Sequence, residues 1–358
     1  MSGPEAFPPP GAEPPPMAPP MPREGWTVPP PAPPAPPPGW GVPVHQAAHK
    51  PGAIPLRPLA LGDIYNGAFK IIRVNPGATV GSAALVSSVA MAVPLLVAAL
   101  LALAFDLGSW TDGELSEAEA LQTIGSIFSS ALGGILQSFG LIFVTSMVAH
   151  VAVAAAAGRK LSMAEAWAQT RGRRWRLVLL SLFLGTAYVL VFTGYVLLWV
   201  LVAVTAETAV IVIWGLVTVP AFICLMVLAY VRIYYLAVPP LMIERRGVFG
   251  AIGRAHALTR KQFWRTFGIA LLTAIITGVA SGILSVPVTM VGSIAPLVIE
   301  GSPGVFAMLI LQSLGTILST AFVAPFSAAV VSLQYLDQRM RKEAYDVELL
   351  SQAGYVSA

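Results

Sequence analysis

The chain has 358 residues, of which 56% are hydrophobic and 11% are Asp, Glu, Lys or Arg, where a soluble globular chain carries roughly 25% charged residues. That composition excludes an ordinary soluble enzyme and points to a membrane protein. The formal charge of +4 does not call for a nucleic-acid partner, because the basic residues flank long apolar windows, where membrane topology accounts for them.

At the N-terminus, 22 of the 31 prolines fall within the first 58 residues. Runs such as Pro29 to Pro38 can donate few backbone hydrogen bonds, so residues 1–57 are expected to be a disordered, Pro-rich cytoplasmic tail with polyproline II character. No cationic segment followed by an apolar one marks a signal peptide there. Gly25-Trp26 and Gly39-Trp40 offer stickers for a protein partner that reads polyproline; the plainer reading is a solvated tether.

Next come six windows without Asp, Glu, Lys or Arg: 74–105, 120–158, 177–206, 208–231, 266–299 and 301–336. Each exceeds the roughly 20 residues a helix needs to cross the hydrocarbon core. The expected fold is therefore all-α, with spans at about 78–105, 134–157, 177–204, 208–231, 267–296 and 305–336 and a short cytoplasmic tail over 337–358. Four spans with two re-entrant segments is the alternative. In the long second window, Ser116 and Glu119 form a capping box and Gly133-Gly134 interrupts the apolar run. An external helix from about 117 and a separate crossing are expected there.

The connections 106–119, around 207 and around 300 hold seven acids and no Lys or Arg, whereas all 21 Lys and Arg fall on the other side. The positive-inside rule then makes both termini cytoplasmic in a plasma-membrane protein. The only cysteine, Cys224, lies inside a window, which excludes an intrachain disulfide or a cysteine-based metal site.

An internal repeat organises the windows. At an offset of 89, Ala166, Ala168, Thr170, Arg171, Trp175 and Arg176 match Ala255, Ala257, Thr259, Arg260, Trp264 and Arg265. Ahead of the first window, Ala68 and Arg73 fall on Ala166 and Arg171. Tyr65, Ala68, Phe69 and Ile72; Met163, Ala166, Trp167 and Thr170; and Ile252, Ala255, His256 and Thr259 each mark one face of an amphipathic helix at the cytoplasmic interface. Leu136-Gln137-Ser138 and Gly140 recur as Leu311-Gln312-Ser313 and Gly315. The expected architecture is three parallel repeats, each an interfacial helix followed by a two-span hairpin, unlike the inverted repeats of many transporters.

Candidate sites are few. Arg171, Arg173, Arg174, Arg176, Arg254, Arg260, Lys261 and Arg265 stand beside the bilayer, each able to gain about 1 kcal/mol from anionic lipid of the cytoplasmic leaflet; equally, they serve only to fix topology. Asp63, Glu165 and Glu244 share their layer and are candidate partners. Gln137 and Gln312 are intramembrane amides that either line a cavity or join helices. His150 has no intramembrane acid with which to form a proton relay. Arg232, among Tyr230, Tyr234 and Tyr235, reads as an interfacial anchor. Pro94, Pro220, Pro287 and Pro325 can kink their spans.

No H-E-x-x-H, phosphate loop or aspartate array is present, and Ser281 with His150 is the nearest approach to a serine dyad. No cofactor and no catalytic residue are expected. The role expected is a non-enzymatic one, organising lipid or protein partners at the basic cytoplasmic face; the alternative is a permease or exporter of a small amphiphile.

The run Leu56-Arg-Pro-Leu-Ala-Leu-Gly-Asp63-Ile-Tyr-Asn-Gly-Ala-Phe-Lys70, then Asn75-Pro76, resembles the opening of the bacterial glycerophosphoryl diester phosphodiesterase membrane-domain family. Tyr335-Leu-Asp337-Gln-Arg339-Met-Arg341-Lys-Glu343, the following stretch to Leu350 and the proline-rich leader are similar to that family as well. In it the membrane domain is sometimes followed by a phosphodiesterase barrel that holds the hydrolytic residues. Only 22 residues follow the sixth window, too few for a barrel of about 250, so the resemblance implies a lipid-associated membrane protein and transfers no catalytic residue.

Overall fold

The computed structural model describes residues 52–104, 117–299 and 302–352. All their regular structure is helical. Helix α1 (Leu61–Val74) leads through a π-helical turn (Gly77–Gly81) into α2 (Ser82–Ala104), followed by α3 (Glu117–Ala156), α4 (Met163–Gln169) and α5 (Arg174–Thr205). Helix α6 (Thr208–Ala229) continues through a second π turn (Tyr230–Tyr234) to α7 (Val238–Met242), and α8 (Val248–Thr259), α9 (Phe263–Val298), α10 (Ser302–Glu343) and α11 (Tyr345–Gln352) follow among the described residues. Six segments are long and apolar enough to cross a membrane: Gly77–Leu100, Leu132–Ala156, Arg174–Thr205, Thr208–Met242, Phe263–Val298 and Pro303–Glu343. Each overlaps one of the six uncharged windows, but the fourth and sixth run on past the expected ends at 231 and 336, to Met242 and Glu343.

Helices α2, α3, α9 and α10 form the packed centre, with α10 lying along the other three. Glycines set the close approaches. A Cβ on Gly140 of α3 would come 2.6 Å from Val86 Cγ1 of α2, and one on Gly315 of α10 would come 3.1 Å from Thr289 Cγ2 of α9. With lipid on the outside there is no hydrophobic drive between spans, so such tight van der Waals packing is what holds them. Gly133 belongs to the same seam, its absent Cβ 3.1 Å from Pro94 Cγ. The expected break at Gly133-Gly134 is therefore corrected: α3 runs unbroken for 40 residues, about 60 Å, because the glycine serves a helix contact and not a bend.

Helices α5 and α6 join this centre at one end only. Leu177, Leu180 and Leu184 of α5 are buried against Ile142 of α3 and Ala237, Val238, Leu241 and Met242. Beyond them, the most apolar stretches of α5 and α6 contain no buried residue. Tyr195 and Phe222 stack at 3.9 Å between the two helices, and the Tyr195 hydroxyl shares a hydrogen bond of 3.2 Å with Thr218. Such continuous apolar exposure is unfavourable in water and suited to a hydrocarbon solvent.

Three further expectations need correction. Residues 1–51 lie outside the described residues, but 52–57 are not tail: Ile54 is fully buried, Leu56 is 6% exposed, and the Ala53 amide donates to the Ala155 carbonyl at 2.7 Å. Ala53, Ile54 and Leu56 belong to the main buried cluster. Likewise 337–349 is not a loose tail, since Asp337, Met340, Tyr345 and Leu349 are all buried. Finally, the buried side of α1 is Ile64, Ala68 and Ile71, and that of α8 is Ala251, Ala255 and Leu258. This is a different phase from the expected face, and Phe69 is 61% exposed. The helices pack on protein, α1 against α10 and α8 against α7 and the second π turn, so burial follows those neighbours.

Candidate anion-binding site

Among the basic groups at the end of the bundle bearing α1, α4 and α8, two sets look alike in sequence and differ in space. The first set is neutralised by acids. Asp337, 1% exposed, receives Arg265 at 3.0 Å and Arg341 at 2.9 Å and accepts the Leu59 amide at 2.7 Å. The Leu59 carbonyl accepts from Arg265 at 2.7 Å and Arg341 at 2.9 Å. Glu244 accepts from Arg246 at 2.7 Å, Arg254 at 2.8 Å and the Tyr335 hydroxyl at 2.8 Å. Arg254 also pairs with Glu343. Burial alone would raise the Glu244 carboxyl, but these hydrogen bonds outweigh it and hold it below its ordinary value.

The other candidate acids have local duties. Asp63 accepts from the Ala60 amide and lies 3.5 Å from Arg57. Glu165 completes a capping box with Ser162, whose amide and hydroxyl it accepts at 2.7 and 2.8 Å, and that bonding lowers its pKa.

The second set is left bare. Arg159, Arg171, Arg173 and Arg245, with His150 and Gln169, line a cavity of about 440 Å³ open to the surface. It is bounded by the end of α3, the α3–α4 connection, the α4–α5 turn and the segment after α7. No carboxylate contributes to its lining. Among the described residues the ion pairs involve Arg57, Arg246, Arg254, Arg265, Arg339 and Arg341, and none involves these four.

Local backbone geometry places them. Gly172 has φ +77° in the α4–α5 turn, a conformation glycine adopts without penalty, which lets Arg171 and Arg173 flank one wall. Arg245 has φ +57°, a conformation that costs roughly 1–2 kcal/mol for a residue with a Cβ. Neighbouring arginines thereby diverge, Arg246 to Glu244 and Arg245 to the cavity. Arg173 donates to the Leu241 carbonyl at 3.3 Å; burial first, then the charges of Arg176 and Arg245, lower its pKa. Arg159, Arg171 and Arg245 are exposed and Arg173 is half-buried, so the cavity presents guanidinium groups with no carboxylate among its lining residues. His150 Nδ1 lies 2.9 Å from the Ser146 carbonyl; that partner is an acceptor, so Nδ1 carries the hydrogen and Nε2 is free.

Of the residues expected from sequence, Arg171, Arg173 and His150 meet in this cavity. Arg174 does not: it lies 3.9 Å over the Trp167 ring and donates to the Trp167 carbonyl, closing the end of α4. Arg176 and Arg260 are exposed, Lys261 takes φ +67° in the turn before α9, and Arg254 and Arg265 are the paired groups above. Arg159 and Arg245 were missed; their signal was the basic pairs Arg159-Lys160 and Arg245-Arg246 directly after the second and fourth spans. Arg232 lies 5.7 Å from the Phe263 ring.

The two glutamines do not meet. Gln137 donates to Thr320 at 3.0 Å between α3 and α10, and Gln312 is exposed on α10. Ser281 shares a 2.6 Å hydrogen bond with Ser319, not with a histidine. The segments 56–70 and 335–343 are joined through Leu59 and Asp337. Comparison with protein-family models, with curated proteins and with solved structures finds no match for this chain.

Proposed function

We propose that this is a non-catalytic, multi-pass plasma-membrane protein that holds an anionic phosphate-bearing head group, from a lipid of the cytoplasmic leaflet, at its basic face and organises membrane partners there. The observation that carries the reading is the unequal distribution of acids: one arginine set is neutralised by Asp337, Glu244 and Glu343, while four arginines around a cavity have no carboxylate. Both termini would face the cytoplasm, on the separation of acidic from basic connections.

Three parallel repeats remain part of the proposal. Supporting them, α5 and α9 begin 89 residues apart, at Arg174 and Phe263, and the residues before them, Arg173 and Gln262, share φ near −125°, at −123° and −127°. Gly172 and Lys261, also 89 apart, both have positive φ. Thr170 and Thr259 are both fully buried, and their hydroxyls donate to the Trp167 and His256 carbonyls. Trp175 and Trp264 are 81% and 78% exposed, as residues of an interfacial aromatic belt would be. The similarity of the joined segments 56–70 and 335–343 to the phosphodiesterase membrane-domain family is in keeping with a lipid-associated role. A permease has less support, because Gln137 bonds within a helix interface and Gln312 lies at the bundle surface.

The test separates the two arginine sets. In vesicles containing anionic lipid, Arg171→Gln with Arg173→Gln is expected to lower lipid retention by about tenfold with little change in thermal stability, because no internal ion pair is lost. Arg265→Gln is expected to do the reverse. Unchanged retention in the first variant, with normal insertion, would overturn the head-group reading.

A further inference from the structure

Resting on that reading, we propose that the cavity selects a phosphomonoester, a terminal phosphate, over the phosphodiester of ordinary anionic phospholipids. Three features support this. Four guanidinium groups and no carboxylate surround about 440 Å³, several times the space of one phosphate, so a single diester charge leaves most of the positive charge uncompensated. A terminal phosphate carries about −1.5 to −2 at neutral pH and three acceptor oxygens, which two or more planar forks can grip bidentately. The absence of a carboxylate also removes the group that would welcome the ammonium of a zwitterionic head.

The third feature is His150. Its Nδ1 hydrogen is committed to the Ser146 carbonyl at 2.9 Å, so the free Nε2 accepts a hydrogen bond when the ring is neutral and donates one when it is charged. A phosphomonoester can meet the neutral ring, since around its second ionisation near pH 6 it still has an O–H to donate to Nε2. A diester has no proton to offer in this range. The charged groups around the imidazole are Arg159 after α3, Arg171 and Arg173 before α5 and Arg245 after α7, all cationic. The phosphate has two sources, a lipid with a terminal phosphate or a soluble phosphate ester, and the chemistry is common to both.

The experiment uses the full chain in phosphatidylcholine vesicles carrying either phosphatidic acid or phosphatidylglycerol, with retained lipid counted by native mass spectrometry. Inorganic phosphate, added to vesicles of phosphatidylcholine alone, is the soluble probe. Phosphatidic acid is expected to be retained about tenfold better than phosphatidylglycerol, the factor that one further charge-assisted hydrogen bond supplies. Arg173→Gln with Arg245→Gln should abolish retention, His150→Gln should bring the ratio toward one, and Arg260→Gln, outside the cavity lining, should change neither. Phosphate binding that depends on the same arginines, with neither lipid retained, supports the phosphomonoester class from an aqueous source. Equal retention of both lipids, lost in the double arginine variant, overturns the selectivity and leaves the anion site standing. Retention insensitive to those arginines overturns both.

Discussion

Glu244 collects three donors from three parts of the chain: Arg246 beside it, Arg254 on α8 and Tyr335 on α10. Its folded pKa lies below the ordinary value of 4.5, so its contribution to stability is full above that value and is lost as pH falls through the lowered one. Thermal unfolding in nanodiscs should therefore show an acid limb that Glu244→Gln diminishes, together with a loss of about 1–3 kcal/mol at neutral pH. An unchanged acid limb would show that the hub contributes nothing to that dependence. The same residues mark where sequence reading stops. Arg171 and Arg260 occupy matching positions, as do Arg176 and Arg265, yet only Arg265 meets an acid, because Asp337 reaches it from α10. Nothing near Arg265 in the chain announces that partner. The cavity was legible only in part for the same reason: Arg171 and Arg173 stand in a conspicuous cluster, whereas Arg159 and Arg245 arrive from two other connections.

Among the elements, the spans were legible because lipid removes the alternatives: an uncharged window of sufficient length has to be helix. Their packing was not. Gly133 reads as a break in a chain met alone and is a contact surface once Pro94 stands opposite. The buried side of α1 follows α10, a partner that no periodicity of α1 itself can reveal. Helix α5 allows a comparison within one element, since Leu180 is fully buried and Leu197 is 63% exposed. Leu180→Ala should lower stability by about 2 kcal/mol or more through lost packing, and Leu197→Ala by under about 0.5 kcal/mol. Chemical or thermal unfolding of the two variants in the same detergent would decide this; equal losses would mean that the far half of α5 is packed after all.

Over the whole molecule, Asp337 joins the segment before α1 to α9 and α10, through Leu59, Arg265 and Arg341. Asp337→Asn would leave two guanidinium groups without their carboxylate in a largely buried setting. The expected loss is about 3 kcal/mol, read as a fall in unfolding temperature and as faster proteolysis of the segment around Leu59. No change in either would show that the helix contacts alone hold that segment. The same junction bears on how the protein is made. Leu59 and Asp337 are separated by 278 positions, and at a synthesis rate of about 5–20 residues per second the partner of Leu59 emerges on the order of 15–60 s later. Until then Ile54 and Leu59 have nothing from the last span to cover them. A ribosome that stops early thus releases a chain with a hydrophobic, hydrogen-bond-hungry lip, the kind of mark by which membrane proteases tell an unfinished product from a finished one.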